Sequence, residues 1–321
     1  MISIDRRGAL ALLATTMLPL RGALAQTQAR AQASSPLSFA TAGQGSAFLP
    51  YGRGIAMAIA GSGIVLDVQE SKGSNENLDR VDASPTTIGC AFLGSALAAL
   101  NGTGFAKDKP HRNVRALFPM YETAFMVAAL KAGKIANLKA LDGKRVGCGP
   151  TKGPAEDYFR AAAAIAGIVP VIVSGTPAEQ AKQLQTGAID AFWQGAFVPI
   201  PSLVTATNAA SCDVFGLSDA EIAGMSTRFP FMADASYPVG TYRGQTAPIK
   251  TVAAWNAVVG HKDMPEATAY ALTRAVLSAK DLSGAGPAAA STRAANAIKN
   301  KVVPYHPGSI RALAEMGVKV G

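Results

Sequence analysis

The sequence has little charge, few aromatic residues and almost no cysteine or histidine. Charged residues make up 16% of its 321 positions and aromatics 7%, with three cysteines and three histidines. Three cysteines can form at most one disulfide, which excludes a disulfide-built scaffold. Cys90 and Cys148 sit in the apolar contexts TIGCAFL and RVGCGP, where buried thiols are expected. His111, His261 and His306 lie far apart and near no cysteine pair, so no metal-ligand spacing exists. The formal charge of +9 contains no run of Lys or Arg and no aromatic–basic interleaving, which argues against nucleic acid as a partner. There is no Gly-x-Ser-x-Gly elbow, and Gly143-Lys144 is followed by Arg145, so there is no Walker loop. No pair of carboxylates has a spacing that singles it out as acid and base. Nothing in these residues demands an enzyme, a metal or a cofactor.

Long apolar runs are also missing beyond the first 25 residues. Ala161 to Val173 is short and interrupted by Gly167 and Pro170, so no membrane-spanning helix is expected there. The N-terminus differs. Arg6-Arg7 precede the apolar stretch Gly8 to Leu20, and Ala23-Leu24-Ala25 supplies small residues for cleavage. Residues 1–25 therefore read as an export signal rather than a buried helix. The arginine pair also suits the twin-arginine route, although ordinary secretion signals contain such pairs too. Arg6, Arg7 and Arg21 against Asp5 contribute +2, which leaves +7 of the formal +9 on the mature chain. That balance favours anionic ligands.

What is present is alternation. Residues 26–36 form a polar, Ala/Gln-rich leader. Short β-like runs and helical runs then follow one another: Leu37 to Thr41, Tyr51 to Ala60, Ile64 to Val68, Asn75 to Val81, Thr87 to Ala91, Ser95 to Leu100. Val114 to Phe118 and Phe125 to Leu130 are the next strands. A second unit begins near Lys134, with a strand at Arg145 to Cys148, a helix from Pro154 to Ala166 and a strand at Val169 to Val173. Thr176-Pro177-Ala178-Glu179 is a capping box opening a helix to Gln185, before a strand at Ile189 to Trp193. After a linker from Tyr237 to Pro248, helices are expected at Pro265 to Ser278, Ala288 to Ala297 and Ile310 to Glu315. The pattern predicts an α/β fold in two lobes, 37–128 and 129–239, with the chain returning to the first over 240–321. A ligand cleft between the lobes follows.

Four loops after strands are candidate anion sites: Thr41 to Tyr51, Ser71 to Asn77, Gly149 to Pro154, and Phe192 to Pro199. The first three open helices, whose N-termini carry free N–H groups and a positive dipole end. Gly45 and Gly73 let the backbone turn, and Ser46, Ser74, Asn75 and Thr151 offer side-chain hydrogen bonds, although each equally reads as an ordinary helix cap. Lys152 adds charge, and Tyr51, Tyr121 and Trp193 are candidate walls, with core packing as the competing account. A dinucleotide fingerprint at Gly43-x-Gly45 fails, because its third glycine is Phe48.

These motifs, taken in order, carry a resemblance. The sequence ATAGQGSAFLPYGRGIAMAI, the loop Gly73-Ser74-Asn75-Glu76-Asn77-Leu78, Leu141 to Val146 before Gly149-Pro150, Gly187 to Phe192, and His306 to Gly317 resemble the TAXI-type solute receptors of TRAP (tripartite ATP-independent periplasmic) transporters. The resemblance implies a type II periplasmic binding-protein fold and a monomeric receptor in the periplasm. Such a receptor captures a small carboxylate (an amino acid, oxoacid or dicarboxylate) and hands it to the small and large membrane subunits of a permease. The alternatives are a binding protein of an ABC importer or sensory system, or an exported enzyme on the same fold.

The chain departs from that family at expected ligand contacts. Its first loop reads Gln44-Gly45-Ser46-Ala47-Phe48-Leu49, the loop after the third strand is Phe92-Leu93-Gly94 without an acid or amide, and Thr151-Lys152-Gly153-Pro154 replaces a Gly-Ser-Gly-Thr-like loop. Loss of an acid and gain of Lys152 favour a ligand without an ammonium group, such as an oxo- or dicarboxylate. Gln44, Ser46 and Tyr51 are then the residues expected to select it.

Overall fold

The computed structural model describes residues 36–321. The export signal over 1–25 and nearly all of the expected leader lie outside the described residues. From Leu37 the chain alternates strand and helix: Leu37–Ala40 (β1), Phe48–Ala58 (α1), Leu66–Gln69 (β2), Ser74–Ala83 (α2), Thr87–Phe92 (β3) and Leu93–Asn101 (α3). One long strand follows, Val114–Leu130 (β4). The alternation then resumes with Arg145–Gly147 (β5), Pro154–Ala166 (α4), Val171–Val173 (β6), Pro177–Gln185 (α5), Ala191–Ala196 (β7) and Pro201–Ala209 (α6). Cys212–Phe215 (β8), Asp219–Arg228 (α7), Ala233–Tyr237 (β9), Ile249–His261 (β10), Glu266–Leu277 (α8) and Pro307–Glu315 (α9) complete the described chain.

All ten strands share one sheet, ordered β2-β1-β3-β10-β4-β7-β5-β6, with β8 on β4 and β9 on β10. Two sets of three parallel strands lie towards its ends, β2-β1-β3 and β6-β5-β7, in the same relative order. Each set feeds its helices through loops at the carboxyl ends of its strands, which is where α/β sheets place ligands. β3 is buried at all six positions, as a parallel strand covered on both faces requires. Phe39, Ile55, Ile88 and Phe118 fill the first half, and Leu138, Val146, Phe159 and Trp193 fill the second. Each such side chain, fully buried, contributes on the order of 1.5–3 kcal/mol.

Two strands join the halves. β4 pairs with β10 over Val114 to Ala124 and with β7 over Ala124 to Ala129. β10 pairs with β9 over Ile249 to Ala253 and with β3 over Asn256 to Gly260. Both strands therefore pass from one half to the other, and their mutual register shifts between Trp255 and Ala257 at the crossing. Asn256 fixes that point: its Nδ2 donates to Tyr121 O at 2.7 Å and to Thr123 Oγ1 at 2.8 Å, both on β4.

Three readings of the sequence change here. Val114 to Phe118 and Phe125 to Leu130 are not separate strands but one, since Pro119 sits opposite Ala257 beside the register shift, where a missing N–H is tolerated. The expected helix from Ala288 to Ala297 is two 3-10 segments, Pro287–Ser291 and Ala294–Lys299. They are separated by Thr292, whose hydroxyl is taken by Tyr51 and Met120. β10, which joins the halves, was absent from the sequence reading altogether. The capping box is present: Thr176 Oγ1 accepts from Glu179 N at 3.3 Å, and Glu179 Oε2 accepts from Thr176 N at 2.7 Å. Cys90, Cys148 and Cys212 are free and buried.

Candidate functional site

A cavity of about 400 Å³ opens between the halves, within the range of small-molecule sites. Its first-half rim comes from the loops after β1 and β2, with Ser46, Phe48, Gly73 and Ser74. Its second-half rim comes from the loops after β5 and β6, with Thr151, Pro154 and Thr176, and from β7 itself, with Gln194. Phe92, Tyr121, Thr123, Phe125 and Asn256 lie at the crossing strands beneath.

The floor is aromatic. Phe92 meets Phe125 edge-on at 5.6 Å, and Phe125 stacks on Trp193 at 5.5 Å and 13°. Gly195 makes room for the Phe125 ring, since a β-carbon there would stand 2.4 Å from it. Tyr121 packs edge-on against Tyr51 at 5.5 Å and against Phe197 at 5.5 Å. Offset and edge-on pairs of this kind add about 0.5–1.5 kcal/mol each beyond burial.

The rims carry helix starts. α1, α2 and α4 open at the cavity behind Ala47, Gly73 and Gly153; Ser46 Oγ accepts from Leu49 N at 3.4 Å in the first turn of α1, whereas Gly73 and Gly153 carry no side chain to cap α2 and α4. A helix start carries unpaired N–H donors and a positive dipole end, and Glu76 and Glu156 lie in the first turns of α2 and α4. Two buried amides hold these loops. Asn77 Nδ2 donates to Thr41 O at 2.6 Å and Cys90 O at 2.8 Å, while its Oδ1 accepts from Ser71 Oγ at 2.6 Å. Gln180 Oε1 accepts from Gly149 N at 2.7 Å, and its Nε2 donates to Val173 O at 2.8 Å. The halves also touch around the cavity. Asn75 Nδ2 donates to Lys152 O at 2.7 Å and Asp157 Oδ2 at 3.2 Å, and burial raises the Asp157 carboxyl although the Asn75 bond opposes it. A β-carbon on Gly45, at φ +77°, would stand 2.6 Å from Ala178 N. One on Gly94 would stand 2.2 Å from the Tyr158 hydroxyl.

Of the residues singled out from sequence, Ser46, Gly73, Ser74, Tyr121 and Thr151 line the cavity together. Gln44 does not: it bonds Glu70 at 2.5 Å at an exposed place. Gly45 and Asn75 sit where the halves meet. Tyr51 is fully buried in the first half, its hydroxyl 2.8 Å from Thr292 Oγ1, so it serves packing. Trp193 supports the floor from behind Phe125. Lys152, at φ +61°, is exposed and does not line the cavity; its carbonyl accepts from Asn75 and its N–H donates to Glu156 Oε2 at 3.1 Å. The charged side chains at the cavity are Lys72 and Glu179, both exposed, with Glu179 engaged by Thr176. Phe92 belongs to a segment that the sequence placed at a ligand contact; sequence reasoning missed Phe125 as floor, Asn77 and Gln180 as braces, and Asn256 at the crossing. Gln194 lay inside a loop already singled out, next to the residue that was chosen.

Among the described residues no cluster of His, Cys, Asp and Glu is placed to hold a metal ion, and no helix is long and apolar enough to cross a membrane. Residues 39–317 match the model of the NMT1-like family. The chain belongs to that family. Solved structures share the fold of this NMT1-like chain at low sequence identity. MatC from Rhodopseudomonas palustris, with bound malate, is 14% identical with a TM-score of 0.55 over 78% of this chain and 87% of its own. The periplasmic binding protein BugD is 12% identical with a TM-score of 0.55 over 88% and 96%. Rpa4515 of R. palustris, with adipate, is 12% identical with a TM-score of 0.53 over 88% and 93%. The fold is therefore that of the periplasmic binding proteins, two α/β halves with a cleft between them.

Proposed function

We propose that this protein is an exported, non-enzymatic solute receptor that closes its two halves on a small carboxylate. The observation that carries this reading is the convergence of three helix starts, from both halves, on one aromatic-floored cavity. Such starts suit a carboxylate, because N–H donors and the dipole act together. The malate and adipate bound by MatC and Rpa4515 agree with that class. The halves are taken as the lobes, with the chain passing between them within β4 and β10. Two crossing strands form a hinge compatible with closure. The order of the loop motifs supports a TRAP-type permease, with its small and large membrane subunits, as the recipient, and a periplasmic location.

A thermal-shift and calorimetric screen of small carboxylates tests the receptor. A ligand at one hundred times Kd is expected to stabilise it by about 2.7 kcal/mol, with one ligand per chain and no turnover. Absence of a shift with every carboxylate, or conversion of the ligand, overturns the reading. Uptake into vesicles carrying the membrane subunits, driven by an ion gradient without ATP, tests the partnership.

A further inference from the structure

The deep end of the cavity is built from uncharged groups whose hydrogen-bonding capacity is unspent. Tyr121 and Asn256 are each 1% exposed and Gln194 8%. All three line the cavity, and Tyr121 OH, Asn256 Oδ1 and Gln194 Oε1 have no partner among the described residues. Buried polar atoms without partners are uncommon and cost about 1–3 kcal/mol each. The Asn256 amide cannot turn round. Its Nδ2 serves the Tyr121 carbonyl, which only accepts, so Oδ1 is held as an acceptor. Burial keeps the Tyr121 hydroxyl protonated, well above the usual phenol range.

An acceptor held in place beside aromatic rings repels a carboxylate and lacks the charge to hold an ammonium. No Lys or Arg reaches the deep end, and the one carboxylate at the cavity, Glu179, is exposed and occupied by Thr176. Lys152, the cation that favoured a dicarboxylate from sequence, is exposed and does not line the cavity. A neutral donor such as a hydroxyl satisfies Asn256 Oδ1, and Gln194 and Tyr121 bring further unpartnered polar atoms to the same cavity. Phe92 and Phe125 alongside accept a flat apolar body.

We propose that the deep end selects a monocarboxylate whose apolar body ends in a neutral hydroxyl, and discriminates against amino acids and dicarboxylates. The inference rests on the receptor reading above and narrows its ligand class. A site built to bond a hydroxyl discriminates strongly against the analogue lacking it.

Calorimetry on the wild-type protein with 4-hydroxyphenylacetate, phenylacetate, succinate and glutamate tests this. The hydroxylated acid is expected to bind at least tenfold more tightly than phenylacetate, and both more tightly than succinate or glutamate. Tyr121→Phe and Gln194→Leu should each reduce the ratio of 4-hydroxyphenylacetate to phenylacetate affinity at least threefold. Trp193 fluorescence and the unfolding midpoint report whether each variant is folded. Tighter binding of succinate or glutamate overturns the inference and leaves the carboxylate receptor standing. Equal affinity for the two aryl acids overturns it as well. Failure of all four acids, followed by failure of the wider carboxylate screen, overturns both.

Discussion

The two halves solve the same mechanical problem with the same device in two sizes. Asn77 and Gln180 are each the fourth residue of the helix after the second parallel strand of their half, α2 and α5. Both are fully buried amides that tie strand-end loops together. Asn77 engages the ends of all three strands in its half, through Thr41, Ser71 and Cys90. Gln180, longer by one methylene, engages Gly149 and Val173, after β5 and at the end of β6, and leaves the β7 end unbraced. That end carries Gln194, unpartnered and facing the cavity. The helix starts beside the braces differ too: α5 closes its own donors with a capping box, whereas α2 has no side-chain cap. The first half is the more completely tied, and the second keeps a free amide for whatever fills the cavity.

The largest expected effect breaks the braces. Asn77→Leu removes two buried donors and an acceptor, and should lower unfolding stability by about 3 kcal/mol; Gln180→Met should cost about 2 kcal/mol. Urea titration measures both, and a larger loss at Gln180 would reverse the ranking of the halves. Next comes the contact between them. Gly45→Val forces a side chain against Ala178 at a positive φ, for a cost of about 1–3 kcal/mol that falls on the closed arrangement. Ligand affinity should drop about tenfold, and scattering should no longer show compaction on saturation. Unchanged affinity would remove Gly45 from the closing surface.

The smallest effect lies where the chain returns to the first half. His306 caps α9, with Nδ1 accepting from Gly308 N at 3.2 Å and Nε2 donating to Met264 O at 3.0 Å. Burial pushes its pKa below the usual imidazole value, against opposing backbone hydrogen bonds. The folded state therefore holds the neutral ring, while the unfolded chain takes up a proton near pH 6.5. This contribution is fully present above about pH 6.5 and declines as the pH falls towards the folded value. The fall in the urea midpoint between pH 7.5 and 5.5 should shrink in His306→Asn, and an identical fall in both proteins would clear His306 of the effect.

Much of this was legible in the sequence, for local reasons. A helix starting at Pro154 and ending before Gly167, or the Thr176–Glu179 box, needs only nearby residues, and both stand where the sequence places them. β10 was not read: Thr251 to Gly260 is nearly all apolar and lacks the alternation of a half-exposed strand, although the linker ending at Pro248 and Pro265 bound it. At the site, the glycine and serine loops were visible because turn chemistry is local. Tyr51 and Tyr121 could not be told apart, since both are tyrosines in apolar surroundings. Thr292, 241 residues away, takes the first hydroxyl, and nothing takes the second.

By itself the sequence determined an α/β alternation, loops suited to an anion after the strands, and the want of residues for metal or nucleotide chemistry. Periodicity, capping and turn residues act over a few positions, so they survive in one dimension. Only the tertiary structure decided which residues meet. It left Lys152 exposed outside the cavity lining, placed Tyr51 in the core, and brought Asn256, Gln194 and Tyr121 from three strands to one cavity. A shared cavity depends on how distant strands cross, and no local signal carries that information.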